Sequence, residues 1–214
     1  MDVELVTPEY WDEARKYLTR KDRVMKRLIP QFGNACLQSR GDAFTTLARS
    51  IVGQQISVKA AQSVWDKFAA LPRRMTPASV LKLKVDDMRA AGLSARKIEY
   101  LVDLALHFDS GAIHVDGWRE MPDEEIIAEL VGIRGIGRWT AEMFLIFSLA
   151  RPDVLAVDDL GIRAGIKRLY NLPDMPKPAL MREIGEPWRP YRSYASLYLW
   201  RSADNSPKVE ALEA

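Results

Sequence analysis

Apolar residues along this 214-residue chain recur at steps of three and four, a spacing that a helix can bury on one face and a strand cannot. Phe44, Leu47, Ala48, Ile51 and Val52 form one such stripe, and Ile98, Leu101, Val102, Leu104, Ala105 and Phe108 form another. No stretch sustains the two-residue alternation of a half-buried strand, and the nearest, Val154 to Val157, reads as an extended connector. Breaks at Leu71-Pro72, Thr76-Pro77, Gly92-Leu93-Ser94, Met121-Pro122 and Pro173 to Pro178 leave mostly short connections. The pattern predicts an all-α chain with helices over 8–18, 20–29, 42–52, 57–70, 77–82, 85–90, 94–108, 123–131, 138–149, 159–169, 177–184 and 190–201.

Composition narrows the functional classes. At 48% hydrophobic and 28% charged residues, the chain matches an ordinary globular protein with one substantial core or two small lobes. Its longest apolar stretch, Met143 to Ala150, is too short for a bilayer, and the N-terminus lacks the order of a signal peptide. A cytoplasmic, nucleoid-associated location with no membrane partner is the expectation. One cysteine, Cys36, cannot supply the thiolates of a cluster or structural zinc site, and His107 and His114 read as helix-end or surface residues. Charge is uneven: residues 1–133 hold 19 Lys/Arg and 19 Asp/Glu, whereas 134–201 hold 11 and 7. That basic excess suits nucleic acid or a merely solvated surface.

The excess begins inside Leu130-Val131-Gly132-Ile133-Arg134-Gly135-Ile136-Gly137-Arg138-Trp139-Thr140-Ala141, where three glycines join two apolar-periodic helices. Glycines permit a tight reversal and bring backbone close to a ligand. The second helix then starts with outward amides, which suit a phosphate oxygen and carry no base preference. A packing turn between two helices has the same composition. A dinucleotide loop does not fit, because the approach is helical and the glycines lack GxGxxG order. Arg134, Arg138 and, near another helix start, Lys97 are candidate phosphate contacts or ordinary solubilising charges.

Farther on, Val157-Asp158-Asp159-Leu160-Gly161-Ile162 places two carboxylates where a connector meets a helix. Asp158 is the expected N-cap, leaving Asp159 in the first turn to face a neighbouring cleft. Capping alone would also account for the pair. Trp139, Met143 and Trp200 taken singly read as core; Tyr191, Tyr194 and Tyr198 are left structural.

Taken in order, SIVGQQISVKAA, GLSARKIEYLVDLA, GIGRWTA, VDDLGIR and WRPYRSYASLYLW resemble the helix-hairpin-helix DNA base-excision glycosylases, nearest the bacterial 3-methyladenine DNA glycosylase II branch. The resemblance runs from about Phe44 to Arg201. It implies two helical lobes around a cleft with a helix-hairpin-helix DNA-binding element, and no extra N-terminal β-rich domain. Asp159 is then the catalytic carboxylate, stabilising charge at C1′ or orienting water, with Asp158 as capping neighbour or alternative. Trp139, Trp200 and Met143 match pocket positions, where an indole face suits an electron-poor alkylated purine. Trp139 stands where bifunctional branches carry a lysine that attacks the sugar, which implies no lyase activity. Gln55 matches the wedge that fills the space of an extruded base, although a loop hydrogen bond would equally explain it.

The resemblance implies a monofunctional glycosylase of alkylated purines such as 3-methyladenine, leaving an abasic site. The alternatives are a glycosylase for deaminated or other modified bases and a noncatalytic binder of damaged or structured DNA. The partner is damaged double-stranded DNA, with no obligate protein partner and a monomeric state. No cofactor is required; a monovalent cation could sit on backbone carbonyls near Gly132, Gly135 and Gly137. The expected organisation is a compact unit over 1–205, with lobes 36–150 and 1–35 plus 151–205, and a tail at 206–214.

Overall fold

The computed structural model describes residues 9–32 and 42–204; Cys36 and the expected tail at 206–214 lie outside the described residues. Among these residues the helices are α1 (Trp11–Lys21), α2 (Arg23–Leu28), α3 (Ala43–Gly53), α4 (Val58–Ala69), α5 (Pro77–Val80), α6 (Val85–Ala90), α7 (Ala95–Asp109), α8 (Asp123–Val131), α9 (Arg138–Phe147), α10 (Leu160–Leu169), α11 (Pro178–Gly185) and α12 (Arg192–Asp204). No described residue is in a strand, in agreement with the all-α reading. Val154 to Val157 is a buried connector, with the Val154 amide donating to Ser193 Oγ at 3.0 Å. No described helix is long and apolar enough to cross a membrane.

The chain divides into two compact units, one comprising Arg40–Leu149 and the other Met1–Ser39 with Ala150–Ala214. In the first, the α3 stripe is buried as its spacing requires: Phe44, Leu47, Ala48, Ile51 and Val52 are at most 4% exposed. Each large member contributes about 1.5–3 kcal/mol by leaving water. Asp42 starts α3 by accepting from the Thr45 amide, and Ser94 starts α7 by accepting from the Lys97 amide. Of the α7 stripe, Ile98, Leu101, Leu104 and Ala105 are buried and Val102 and Phe108 half-buried, and α3 packs on α7. Trp118 fills the space near Phe108 and Phe144, meeting both edge-on.

In the second unit α12 packs against α1 and α10. Tyr194 and Tyr198 are fully buried with their hydroxyls 3.0 Å apart, which accords with a structural role. Gly165 on α10 lies so near Leu199 that a Cβ would sit 3.1 Å from its carbonyl oxygen. Here the sequence-based boundary between the first two helices needs correction, because residues 19–21 continue α1. The break is set by Asp22, in extended conformation, whose Oδ1 accepts from the Val24 and Met25 amides at 2.7 and 3.0 Å. Its Oδ2 accepts from Tyr170 Oη at 2.5 Å and Trp188 Nε1 at 2.9 Å. Burial first, and then this carboxylate, push the Tyr170 hydroxyl well above its usual range, so it stays a donor.

Asp22 therefore joins a cap to the buried Trp188 and half-buried Tyr170 donors. Asp22→Ala should lower unfolding free energy by about 2–4 kcal/mol, the sum of a lost cap and orphaned donors. Urea denaturation of the full chain measures this, and a loss within experimental error would show that the network is dispensable.

Candidate functional site

The glycine segment forms a hairpin between α8 and α9. Gly135 is its pivot, with φ +87, in the left-handed region. A Cβ there would sit 2.2 Å from Tyr100 Cδ2, so the ring lies directly against the backbone. Gly137, extended at φ −92, is the N-cap of α9 and supplies no capping side chain; a Cβ there meets nothing within 4 Å. Neither the Gly135 nor the Gly137 amide donates to another described group, whereas the Arg134 amide donates to Asp103 Oδ2 at 2.8 Å. Two open amides at an uncapped N-terminus are the arrangement that binds an oxyanion.

The segment between α3 and α4 lies near this hairpin. Gln55 is exposed with φ +57, a conformation few side-chain-bearing residues adopt. Ile56 and Val58 beside it are 40% and 88% exposed, unusual for apolar side chains. Gln54, which the sequence reading quoted without assigning a role, donates from Nε2 to the Gly135 carbonyl at 2.8 Å. Nothing in local spacing could have revealed a contact across so long a stretch of chain.

The three cations predicted to meet phosphate part company. Lys97 has a partner within the chain: its Nζ donates to the Val52 carbonyl at 2.7 Å, where a cation suits the C-terminal end of α3. Burial pushes its ammonium down. Arg138 is engaged by carboxylates. Its two terminal nitrogens reach Glu124 at 2.9 and 2.5 Å and its Nε reaches Glu142 at 3.0 Å, so carboxylates fill the fork that a phosphate would need. These partners, Glu124 foremost, hold the guanidinium still more firmly protonated. Arg134 differs, because its side-chain partner among the described residues is Glu99 at 3.6 Å and both side chains are more than half exposed.

On α9, Trp139 is 48% exposed and Met143, one turn on, is half-buried. An indole half open to solvent is poorly explained by packing alone.

The carboxylate pair requires a different correction. Asp159, and not Asp158, is the N-cap of α10, since the helix begins at Leu160 and only the preceding extended residue can reach back to its amides. Asp159 Oδ1 accepts from the Ile162 amide at 2.8 Å and from Trp200 Nε1 at 2.7 Å, and the residue is 7% exposed. Asp158 is exposed. Gly161 makes the indole contact possible: a Cβ there would lie 2.8 Å from Trp200 Cδ1 and 3.2 Å from Asp159 Oδ1. The site residues thus fall into two groups, with Asp159 and Trp200 in one unit and the hairpin, Trp139, Met143 and the Gln55 loop in the other.

Comparison with known proteins supplies a frame for these groups. The model of a family described as HhH-GPD superfamily base excision DNA repair protein matches residues 48–190. DNA-3-methyladenine glycosylase 1 of Schizosaccharomyces pombe is 36% identical over 198 residues, covering 89% of this chain and 87% of its own length. A solved structure of the 3-methyladenine DNA glycosylase of that yeast in complex with abasic DNA is similar with a TM-score of 0.76 and 35% identity, over 90% of this chain and 97% of that one. DNA-3-methyladenine glycosidase from Bacillus halodurans is similar with a TM-score of 0.83 and 34% identity, over 90% and 89%.

The two hairpin glycines should respond differently to alanine. Gly135→Ala meets both the ring and the positive φ and should cost about 2–4 kcal/mol of stability. Gly137→Ala, in open space, should cost no more than about 1 kcal/mol, the scale of an N-cap preference. Equal losses in thermal or urea unfolding would show that the Tyr100 contact does not govern the turn.

Proposed function

This chain belongs to the HhH-GPD superfamily of base excision DNA repair proteins, and on that premise we propose that it is a monofunctional DNA glycosylase acting on alkylated purines such as 3-methyladenine. The observation that carries the reading is the Asp159 carboxylate, buried at the start of α10 with Oδ1 held by two N–H donors. Two donors on one oxygen fix the plane of the carboxylate. A fixed negative group beside the sugar favours the positive charge that develops at C1′ as the base departs, and it can orient the water that replaces the base. Hydrolysis of the N-glycosidic bond needs no more chemistry than this and leaves an abasic site.

Substrate class follows from the aromatic surface. An alkylated purine is electron-poor or cationic, so the exposed face of Trp139 attracts it once it has left the stack, with Met143 adding a polarizable contact. Trp200 presents its indole to Asp159, which makes it both a pocket candidate and a donor. Trp139 has no amine to form an imine with the sugar, which supports hydrolysis without strand cleavage.

The hairpin serves as the phosphate grip. The open amides of Gly135 and Gly137 suit one phosphate, and Arg134 suits an adjoining one. A monovalent cation fits the same loop, because among the described residues nothing donates to the Gly132 carbonyl and one donor each reaches those of Gly135 and Gly137, leaving a second lone pair. It would be held by those carbonyls and would add attraction for a phosphate oxygen. Gln55, at an exposed tip, fills the space of the extruded base. The reading is of a monomer acting on damaged double-stranded DNA in the nucleoid.

A panel of duplexes bearing alkylated and deaminated bases tests the assignment. Wild type should release alkylated purines and leave an intact strand with an abasic site. Asp159→Asn, which keeps an oxygen to cap α10, should slow release by at least about a hundredfold, the scale of one catalytic group, whereas Asp158→Asn stays within about threefold, as expected of an exposed group. Tight binding without release of any base would point to a binding protein, and a borohydride-trappable imine would contradict the monofunctional assignment. Arg134→Ala should weaken binding and flatten the dependence of log Kd on log salt by about one unit; an unchanged slope would remove Arg134 from the phosphate contacts.

A further inference from the structure

Three side chains of α7 lie three residues apart, and each holds a different piece of the hairpin and Gln55-loop surface. Lys97 holds the end of α3 through the Val52 carbonyl, the Tyr100 ring lies against Gly135, and Asp103 accepts from the Arg134 amide. Residues i, i+3 and i+6 share one strip of a helix, so one rigid element supports both the start of the Gln55 loop and the hairpin. The two pieces are also tied directly, by Gln54 Nε2 to the Gly135 carbonyl at 2.8 Å.

This tie occupies a decisive place. Gln54 is the C-cap of α3, the last residue before the chain turns into the left-handed conformation at Gln55. Gly135 is the pivot of the hairpin and carries one of its two open amides. The Gln54 amide therefore connects the residue preceding the wedge to the residue that meets phosphate. With both peptides anchored, the separation between the phosphate grip and the wedge is fixed before DNA arrives.

We propose that Gln54 is a positioning residue that couples the hold on the DNA backbone to insertion of Gln55 into the stack. The proposal rests on the glycosylase reading and adds a role for a residue that touches neither the sugar nor the departing base. Its physical content is preorganisation. Extruding a base costs a few kcal/mol, and a wedge already set at the right distance from the gripped phosphate spends none of the binding energy on ordering its own loop. Without the tie, phosphate binding persists while the loop samples positions that leave the vacancy unfilled.

The experiment uses the full chain and a duplex carrying a stable tetrahydrofuran abasic analogue, with 2-aminopurine as the base opposite. Fluorescence anisotropy of an end label gives Kd, and 2-aminopurine emission reports whether a side chain has entered the gap. Gln54→Met keeps the length and removes the donor; Gln54→Glu keeps the shape and turns a carboxylate oxygen toward the Gly135 carbonyl. Both should keep Kd within about threefold of wild type, because the amides and Arg134 are untouched, while losing at least half of the emission change. Gln55→Ala should lose that change completely. On a duplex bearing a normally paired alkylated purine, the Gln54 variants should release base about five- to tenfold more slowly, the scale of one hydrogen bond; with the same lesion in a one-nucleotide bulge they should approach wild type.

The proposal is overturned if both variants keep the full emission change, if Kd and emission fall together, or if wild type gives no emission change on binding. Failure of the glycosylase reading has a different signature, the absence of base release by wild type. The emission assay involves no bond cleavage and so separates the two. Thermal melting of each variant accompanies the assay; if Gln54→Met unfolds, Gln54→Glu carries the comparison.

Discussion

At Gly135 the backbone runs against the face of the Tyr100 ring with no room for a side chain, and the functional features of the Arg40–Leu149 unit depend on that approach. It fixes the turn between α8 and α9, directs the Arg134 amide to Asp103, and turns the Gly135 carbonyl toward Gln54. An aromatic ring serves here as a template for backbone geometry. A ring is rigid, so it transmits the position of α7 to the hairpin with little slack.

The other unit solves a related problem with one carboxylate. Asp159 begins α10, receives the Trp200 indole, and is the group assigned to the chemistry. Structural and chemical roles on the same atoms limit what evolution can vary. Removing the carboxylate altogether would orphan an amide and an indole N–H, whereas an asparagine preserves the cap and removes the charge. The small residue at 161 belongs to this arrangement, because any side chain there would displace the indole from its acceptor.

Much of this was legible in the sequence, and the parts that were not have physical reasons. Helices were visible because periodicity is local: the whole α3 stripe is buried, as are Ile98, Leu101, Leu104 and Ala105 of α7. The hairpin was visible because glycine clusters are. What periodicity could not settle was which neighbour performs a task, as with Asp158 and Asp159, since one residue of helix phase decides it. Nor could it foresee long-range partners. Lys97 and Arg138 read as phosphate contacts, and their bonds to a carbonyl of α3 and to carboxylates of α8 and α9 are not visible in local spacing. The Gln54 contact with Gly135 is hidden from the sequence for the same reason.

The left-handed backbone at Gln55 has a consequence beyond recognition of DNA. A side-chain-bearing residue at φ +57 costs roughly 1–2 kcal/mol relative to its relaxed conformations, and the side chain is exposed. Glycine at this position would release that strain. Selection for heat resistance alone, applied without DNA, would therefore drift toward erasing the side chain proposed to fill the opened duplex. Thermostable descendants of such a lineage could be superb folders and poor repairers, with the loss confined to one peptide unit.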